Sequence, residues 1–323
     1  MRKMMQCVPN FSEGRNQETI DAIVEPLKDK PGFKVVGVEP DKDYNRTVVT
    51  LLGDGEAMLE PLLKFVEKAR NLIDMNKQSG EHPRMGAVDV IPFIPIRDAT
   101  MDDCVTLANR MGEMIADTLA IPIFLYAEAA RTKKRKRLPA IRKGEFEGMK
   151  EKIQEATWEP DFGKPAIHQT AGATAVGARL PLIAYNIDLA TDDLEIAKKI
   201  ARAIRGSSGG FKHIQAGPVY LDERKHVQVT MNILNYKQNP IYRIFETVKM
   251  EAKRYHIDVP SSEIVGLIPQ DAIERSLKYY FTVEKRPLPE ETPIEALTKY
   301  ARTHLKFRDF DELKIIEANI DMP

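Results

Sequence analysis

The order of predicted strands and helices constrains the fold of this chain more than any other feature of its sequence. Extended segments enriched in β-branched residues alternate with amphipathic segments, and the first half reads strand, helix, strand, strand, helix, strand, ending at 86–96 (GAVDVIPFIPI). The same order returns between 180–189 (LPLIAYNIDL) and 262–269 (SEIVGLIP), without convincing residue-level identity between the copies. Because βαββαβ is the ferredoxin-like arrangement, the sequence predicts an α/β (α+β) protein of two ferredoxin-like subdomains, each a sheet faced by helices.

The chain between the two copies is predicted to contain a helix, a strand and a long irregular stretch. The helix covers 101–119 and the strand 121–130, and the residues that follow are richer in Gly and Pro than their flanks. Long loops in a compact protein are commonly functional. We predict an N-terminal subdomain over 1–180, a C-terminal subdomain over 181–300 and a terminal tail over 301–323.

The composition argues against several classes of protein. Lys and Arg together number 48, and so do Asp and Glu, so the formal net charge is zero, unlike that of a typical nucleic-acid binder. Cys7 and Cys104 lie far apart without zinc-type spacing and are predicted to be reduced thiols. No apolar run is long enough to span a bilayer. We therefore expect a soluble, cytoplasmic protein without nucleic-acid or membrane partners.

His82 stands in an unusual setting within 79–96 (SGEHPRMGAVDVIPFIPI). Pro83 disfavours helix at His82 and favours an extended backbone from which the ring projects. Glu81 and Arg84 make its surroundings polar although the next segment is apolar. Histidine titrates near neutral pH and suits general acid–base catalysis. A charged turn that only leads into a strand is the alternative interpretation.

Four further polar residues lie where predicted strands begin or end: Asn10, Asn45, Arg46 and Arg84. Such positions commonly bind ligands in α/β proteins, and the planar guanidinium of Arg can make parallel hydrogen bonds to a carboxylate. Each residue alone also has a structural alternative. The Asn residues or Ser12 can cap a helix, and the Arg side chains can be solvated at the surface.

Other short motifs carry weaker signals. The stretch 171–179 (AGATAVGAR) has the wrong spacing for a P-loop or a dinucleotide-binding fingerprint, although its small residues allow a flat ligand to approach the backbone. The basic run 133–137 (KKRKR) indicates a solvated loop, with a nucleic acid or a polyanionic small molecule as alternatives. The six histidines are scattered, and the sequence contains no HExxH, CxxC or GxSxG motif. General acid–base catalysis without a metal is the enzymatic interpretation that remains.

Several longer motifs together resemble one family. They are CVPNFSEGR (7–15), NRTV (45–48), SGEHPRMGAVDVIPFIP (79–95), EPDFG (159–163), GATAVGARLPLIAYNIDL (172–189), YLDE (220–223) and EIVGLIP (263–269). This set resembles the glutamate formimidoyltransferase (formiminotransferase) family over a region that runs from the N-terminus to about Ile273. We expect the monofunctional form, without the cyclodeaminase domain that is fused to it in animal relatives.

The resemblance implies a reaction and a fold. The reaction is transfer of the formimino group from N-formimino-L-glutamate to N5 of tetrahydrofolate, giving 5-formiminotetrahydrofolate and L-glutamate in histidine degradation. Tetrahydrofolate is the implied co-substrate, no metal is required, and family members are generally homodimers. The implied fold has two subdomains with facing sheets, helices on the outer faces and folate in the cleft between them.

The resemblance also assigns site residues. His82 is the implied general acid/base, because N5 must lose a proton as it attacks and the glutamate nitrogen must gain one as it leaves. Asn10, Glu39, Arg46 and Arg84 are the expected substrate-binding residues, with Glu39 standing where some relatives carry Asp. The expected folate-binding residues are Gly163, Lys164, Pro165, Ala166, Ile167, His168, Gln169, Thr170, Ala171 and Gly172, with a second contact at Gln270, Asp271 and Ala272.

Two other functions remain compatible with the sequence. One is formyl transfer between 5-formyltetrahydrofolate and glutamate, which needs nearly the same acceptor geometry. The other is a non-catalytic folate-binding or scaffold protein, against which the intact EHPRMG motif argues. The basic stretches 133–137 and 142–143 are in addition expected to attract the polyglutamate tail of cellular folates.

Overall fold

The computed structural model describes residues 3–221 and 224–319. The chain divides into two units, Met1–Arg179 and Leu180–Pro323. Each unit encloses its own core of buried aliphatic and aromatic side chains, which is the property expected of a structural domain.

The described part of the first unit forms a seven-stranded sheet with five α-helices. The strands are Met4–Cys7 (β1), Asn10–Phe11 (β2), Phe33–Asp41 (β3), Arg46–Gly53 (β4), Val88–Arg97 (β5), Ile123–Ala127 (β6) and Thr174–Ala178 (β7). The helices are Gln17–Val24 (α1), Gly55–Leu72 (α2), Met101–Leu119 (α3), Leu138–Arg142 (α4) and Glu145–Lys152 (α5).

The strand order of this sheet reproduces the predicted βαββαβ unit and then extends it. The order β3-β4-β1-β5 is antiparallel throughout, so the first and third strands of the unit pair at its centre. β2 continues β1 after a break at Val8 and Pro9 and pairs with β4 and β5. β7 and β6 then pair in parallel beyond β5.

Apolar side chains cover both faces of the sheet around β5. Ile91 and Phe93 belong to the larger core, which α2 and α3 help to form. Val90 belongs to a smaller core that includes Ile141 of α4 and Met149 of α5. A strand buried on both faces is expected to be apolar along its length, which explains the segment VIPFIPI.

The sequence of α3 determines where this helix begins and ends. Thr100 Oγ1 accepts a hydrogen bond from Asp103 N at 3.2 Å, and Asp103 Oδ2 accepts one from Thr100 N at 2.9 Å. This reciprocal pair is a capping box. The helix ends at Leu119 because Ala120 adopts a left-handed conformation with φ of 54°. The predicted bounds, 101–119, are confirmed.

The described part of the second unit forms a four-stranded antiparallel sheet with four α-helices. Its strand order is β11-β8-β10-β9, which is again the order of a βαββαβ unit. The strands are Ile183–Leu189 (β8), Ile214–Leu221 (β9), His226–Ile233 (β10) and Ser262–Val265 (β11). The helices are Leu194–Ile204 (α6), Ile241–Lys253 (α7), Gln270–Val283 (α8) and Ile294–His304 (α9).

The predicted mixed α/β class with two sheets is confirmed, but three segments differ from their predictions. The sequence places Thr174–Ala178 in an irregular stretch, whereas it forms the buried strand β7. Helix α8 is absent from the predicted elements. Leu305, Phe307 and Phe310 lie in the predicted tail yet are buried in the core of the second unit. Residues 320–323 of that tail, and 222–223 of the YLDE motif, lie outside the described residues.

The two cysteines are free, buried thiols. Burial raises the pKa of Cys104 to about 12 and also raises the pKa of Cys7, so both are protonated at neutral pH. Within residues 3–221 and 224–319, the helices are too short or too polar to cross a membrane.

Phe65 on α2 provides a test of the core of the first unit. Its ring is fully buried and meets the ring of Phe11 edge-to-face, with 5.6 Å between centroids. Phe65→Ala should lower the free energy of unfolding by about 3–5 kcal/mol, because it removes buried apolar atoms and leaves a cavity. Leu72→Ala on the same helix, where the side chain is 49% exposed, should change it by less than about 0.5 kcal/mol.

Urea unfolding followed by tryptophan fluorescence measures both variants. Trp158 is the one tryptophan of the sequence, and it is buried in this unit. Equal destabilisation by the two substitutions would contradict the assignment of Phe65 to the core.

Candidate active site

A β-bulge at the start of β5 turns an aspartate into the protein interior. Phe11 on β2 lies opposite Val88 and Asn10 lies opposite Val90, so Asp89 is an extra residue between the two pairs. Bulges of this kind re-aim side chains and are over-represented next to active sites. Asp89 is fully buried, although the strand that carries it is otherwise largely apolar.

The Asp89 carboxylate meets three groups. Its Oδ1 accepts a hydrogen bond from Met85 N at 3.0 Å. Its Oδ2 accepts one from Arg142 Nε at 2.9 Å and another from Arg142 Nη2. Nε2 of His82 lies 3.4 Å from the same Oδ2, but it is not aligned as a hydrogen bond and has no such partner among the described residues. The His82 side chain is 3% exposed, so the three residues form a buried cluster of titratable and charged groups.

Asp89 is ionised at neutral pH in spite of its burial. Burial raises its pKa, but the positive charge of Arg142 and the proximity of His82 outweigh that effect, so the pKa lies below the ordinary value for Asp. The pKa is therefore lower in the folded than in the unfolded chain. The ionised carboxylate stabilises the fold above its unfolded-state pKa, and this contribution is lost as the pH falls through the folded-state pKa.

Asn45 links Gly14, which follows β2, to the residues just before His82. It follows the turn after β3 with a left-handed φ of 49°, a conformation that Asn tolerates well. Its Oδ1 accepts a hydrogen bond from Gly14 N at 3.0 Å, and its Nδ2 donates to Ser79 O at 2.8 Å. Its main-chain oxygen accepts from Gln78 Nε2 at 2.9 Å. Asn45 is 6% exposed and so acts as a buried clamp on the His82 segment.

Arg84 holds the His82 segment to α5. Its Nε donates to Gln78 Oε1 at 2.8 Å, and Nη2 donates to Gln78 O at 3.1 Å and to Glu147 Oε1 at 2.8 Å. Nη1 donates to Glu145 Oε2 at 2.7 Å and to Glu147 Oε2 at 3.1 Å. All five N–H groups thus have partners in the first unit, which is the pattern of a residue that anchors structure.

Asn10, Glu39 and Arg46 share one face of the first sheet. Asn10 and Glu39 both lie opposite Val48 of β4, and residues paired across a ladder point to the same side. Arg46 precedes Val48 by two residues, so its side chain emerges on that side as well. The structure therefore brings together three of the four predicted substrate-binding residues. Asn10 Nδ2 donates to Val8 O at 3.0 Å, and Glu39 is exposed.

Arg46 is the cation of this group, and one of its nitrogens lacks a hydrogen-bond partner in the described part of the chain. That nitrogen, Nε, is buried, and the guanidinium lies 5.2 Å from the centroid of the Tyr44 ring. Burial lowers the pKa of Arg46, whereas Asp41 and, less strongly, Asp89 oppose that shift. Because Asp89 acts on it, Arg46 lies within electrostatic range of the His82 cluster.

The end of the predicted folate-binding loop, 163–172, is tied to the His82 segment. Ala87 N donates to Ala171 O at 2.9 Å, and Ala173 N donates to Met85 O at 3.0 Å. Gly172 adopts a φ of +69°, and a Cβ at this position would collide with Met85 O. Glycine therefore permits a close approach that other residues would prevent.

The outer part of the same loop lines an open pocket of about 470 Å³, a volume suited to a small organic ligand. The lining residues are Asn76, Lys150, Gln154, Ala166, Ile167 and Gln169. Gln154 Nε2 donates to Pro165 O at 2.6 Å, and Asn76 Nδ2 donates to Gln169 O at 2.9 Å. The residues Gly163, Lys164, Pro165 and Ala166 are exposed. The pocket thus brings part of the predicted loop together with three side chains that were not predicted.

His168 and Thr170 complete the inner part of this loop. His168 Nδ1 accepts hydrogen bonds from Ala171 N at 3.1 Å and from Thr170 N at 3.4 Å. Burial lowers the pKa of His168, and Arg70 contributes to the shift. The imidazole is therefore neutral at neutral pH, with a structural role inside the loop.

The remaining predicted folate contacts belong to the second unit. Gln270, Asp271 and Ala272 form the first turn of α8. Gln270 N donates to Glu317 Oε2 at 2.7 Å, and Asp271 pairs with Arg275 at 2.9 Å. Ala272 is buried in the core of this unit.

The basic stretches are not uniformly available to an anionic ligand. Arg135 is buried, with its Nη1 bonded to Asp161 Oδ2 at 2.9 Å and its Nη2 to Thr157 O at 3.2 Å. Arg142 is bonded to Asp89. The exposed members are Lys133, Lys134, Lys136, Arg137 and Lys143. Attraction of a polyglutamate tail, which stays a prediction, would depend on these exposed side chains.

Asp89 is the main site residue that the sequence analysis missed. A lone carboxylate in the apolar segment VDVIPFIPI is a signal in itself, because a charge is costly to bury without a partner. Its partner Arg142 appeared only as part of a basic stretch, 53 residues away in the sequence. The pairing of Arg84 with Glu145 and Glu147, across 61 and 63 residues, had no sequence signal.

The arrangement suits acid–base chemistry on a small anionic substrate. A buried imidazole beside a carboxylate is a common proton-transfer arrangement, and a partly buried arginine whose Nε has no partner among the described residues suits a substrate carboxylate. No cluster of three or more His, Cys, Asp or Glu side chains in residues 3–221 and 224–319 is placed to hold a metal ion. The fold that carries this site is α+β, with two ferredoxin-like units.

Comparison with known proteins identifies the family. Residues 4–179 match the Formiminotransferase domain, N-terminal subdomain, and residues 184–320 match the Formiminotransferase domain. The chain is 48% identical to the glutamate formimidoyltransferase of Streptococcus pyogenes serotype M1, over 88% of this chain and 95% of that protein. It is 43% identical to the glutamate formimidoyltransferase of Thermoplasma acidophilum, over 86% of this chain and 92% of that protein.

A longer relative shares the same region. The chain is 41% identical to the formimidoyltransferase-cyclodeaminase of Mus musculus, over 90% of this chain and 55% of that protein. This chain belongs to the formiminotransferase family.

Asn45 provides a test of the clamp around His82. Asn45→Ala should remove the acceptor for Gly14 N and the donor to Ser79 O, so the Gly14 amide should exchange its hydrogen at least about tenfold faster. Asn45→Asp keeps the acceptor and the tolerance of a left-handed backbone, so protection at Gly14 should be retained. Hydrogen exchange followed by NMR measures both variants. Unchanged protection in Asn45→Ala would refute the clamp.

Proposed function

We propose that this chain transfers the formimino group from N-formimino-L-glutamate to N5 of tetrahydrofolate, giving 5-formiminotetrahydrofolate and L-glutamate. Membership in the formiminotransferase family supports the reaction, and histidine degradation is its usual role. The structural observation that carries the proposal is the buried His82 imidazole, 3.4 Å from an ionised carboxylate. Tetrahydrofolate is the co-substrate.

His82 acts as the general acid/base in this proposal. N5 of tetrahydrofolate attacks the formimino carbon, and its proton passes to the imidazole as the new C–N bond forms. The imidazolium then returns the proton to the glutamate nitrogen as the old C–N bond breaks. Since Nε2 is turned towards Asp89, Nδ1 is the ring nitrogen left to exchange a proton with the substrates. Positioning of the two substrates supplies much of the remaining rate acceleration.

Arg46 binds a carboxylate of formiminoglutamate in this proposal. Its buried Nε lacks a partner among the residues described, and it shares a sheet face with Asn10 and Glu39, which contribute polar contacts. Residues 163–172 bind the folate, with Gln270, Asp271 and Ala272 as a second contact. We assign Arg84 to holding the His82 segment, because its five N–H groups already have partners.

We also propose that the chain acts in the cytoplasm and that it forms a homodimer. The substrates are small intracellular metabolites, and members of the family that the sequence resembles are generally homodimers. Light scattering on the purified chain measures the assembly, and a monomer at micromolar concentration would remove that part of the proposal.

His82→Ala provides the direct test of the reaction. Glutamate release from formiminoglutamate and tetrahydrofolate should fall by about 10²–10⁴-fold, because a positioned acid/base contributes that factor, while tetrahydrofolate still binds. His256→Asn is the matched control, since His256 is exposed and has a left-handed φ of 57°, and it should keep wild-type turnover. Wild-type turnover in His82→Ala would remove His82 from this role.

The same assay separates the alternative functions. Formyl transfer predicts turnover of 5-formyltetrahydrofolate with glutamate that exceeds the rate with formiminoglutamate. A non-catalytic folate-binding protein predicts tetrahydrofolate binding without turnover of either donor. We expect the formimino donor to be preferred.

Arg46→Gln tests carboxylate binding. Loss of a charge-assisted hydrogen bond should raise the KM for formiminoglutamate by about 10–100-fold and change kcat less. Arg110→Gln, at an exposed arginine of α3 that pairs with Glu56, should leave both constants unchanged. Steady-state kinetics with varied formiminoglutamate measures the effect. An unaltered KM in Arg46→Gln would contradict the assignment.

A further inference from the structure

We propose that Asp89, anchored by Arg142, is a positioning residue that fixes the ring orientation and the tautomer of His82 and stabilises the imidazolium during transfer. The proposal rests on the acid/base role of His82 in the proposed function. Asp89 does not touch the reacting atoms in this scheme and acts through His82.

The bulge in β5 is the first observation that supports this role. With regular pairing between β2 and β5, Asp89 would lie directly opposite a residue of β2. In the bulge Asp89 has no opposite residue, and its carboxylate points to His82. Burial of a carboxylate in an apolar strand has a large desolvation cost. A residue that only completed the strand would be apolar, so the carboxylate indicates a specific electrostatic task.

The carboxylate is held at both oxygens. Met85 N occupies Oδ1 at 3.0 Å, and Arg142 occupies Oδ2, where Nε lies at 2.9 Å. Rotation of the carboxylate would break both sets of hydrogen bonds. Because Met85 lies three residues after His82 in the chain, Asp89 holds the backbone of the histidine segment as well as facing its ring. Asp89 thus acts on both the backbone position and the ring orientation of His82.

The tautomer follows from the same geometry. A hydrogen on Nε2 is attracted to Asp89 Oδ2 at 3.4 Å, whereas a lone pair on Nε2 would face a negative charge. Neutral His82 therefore carries its hydrogen on Nε2, and the lone pair of Nδ1 is available to accept a proton. When Nδ1 takes the proton from N5, the imidazolium lies beside an ionised carboxylate. When Nδ1 returns it to the leaving glutamate nitrogen, the ring is again neutral, so protons balance over the reaction.

Arg142 weakens the attraction between Asp89 and the His82 imidazolium. It shares Oδ2 with His82, so the carboxylate divides its charge between two partners. Other charged or titratable groups also act on this cluster: Arg46 on β4 interacts with Asp89 and Arg142, and Tyr126 on β6, whose pKa is raised by burial, interacts with Arg142. Loss of Asp89 should therefore destabilise the imidazolium, and loss of Arg142 should stabilise it.

Asp89→Asn and Arg142→Gln test the proposal through opposite changes in pH dependence. In Asp89→Asn, kcat should fall by about 10²-fold or more with KM within about threefold of wild type. The acid limb of its kcat–pH profile should move to lower pH. In Arg142→Gln, the acid limb should move to higher pH. An ion pair with only a structural role would lower activity in both variants without moving the limb in opposite directions, and that result would overturn the proposal.

Asp161→Asn is the matched control for burial. Asp161 is 3% exposed and pairs with Arg135 at 2.9 Å, so the substitution breaks another buried Asp–Arg pair of the same unit. The acid limb of its pH profile should stay at the wild-type position. A shift equal to that of Asp89→Asn would show a general effect of destabilisation and would overturn the specific role of Asp89.

NMR of histidine labelled with ¹⁵N separates this proposal from the proposed function, because it needs no substrate. The wild-type spectrum should show neutral His82 with hydrogen on Nε2, and Asp89→Asn should lower the fraction of His82 in this tautomer. The opposite tautomer in the wild type, or an unchanged tautomer fraction in Asp89→Asn, would overturn the positioning role. If the NMR results hold but no formimino transfer occurs, the proposed function fails while the coupling between Asp89 and His82 stands.

Discussion

The buried pair of Asp89 and Arg142 is the interaction on which the candidate site depends. A carboxylate removed from water loses a large solvation energy, and only a partner charge and hydrogen bonds compensate it. Here Arg142 supplies the charge and Met85 N supplies a hydrogen bond, so the carboxylate stays ionised below the protein surface. Removing Asp89 or Arg142 would leave the charge of the other uncompensated in the interior. The segment that bears His82 is therefore built around a charge that has to be neutralised locally.

The extension of the first sheet makes this neutralisation possible. A βαββαβ unit alone covers one sheet face with its helices, but β7 and β6 widen the sheet beyond β5. The added width supports a second core with Ile141 of α4 and Met149 of α5. These two helices carry Arg142 to Asp89, and Glu145 and Glu147 to Arg84. The additional strands thus convert a common fold into one that can enclose polar groups beside β5.

Sequence patterns predicted the elements that local chemistry determines. The predicted bounds of α3 match the structure, in which a capping box begins the helix, and Pro83 marks His82 as a ring on a constrained backbone. The strand β7 was missed because TAVGA consists of small residues whose burial comes only from its neighbours β5 and β6. Asp89 was missed because its direction depends on a bulge, which is a property of pairing with β2. Contacts such as that of Arg84 with Glu147 join distant segments and carry no local pattern.

The attachment of the 163–172 loop has a consequence for how such a protein can change over time. Its inner end is fixed to the His82 segment through the close approach of Gly172 to Met85, whereas Gly163–Ala166 are exposed. Replacements in the exposed part can alter the shape of the adjoining pocket without displacing the imidazole. Under the proposed assignment of the loop to folate binding and of His82 to proton transfer, ligand preference can diversify by mutation while proton transfer is kept.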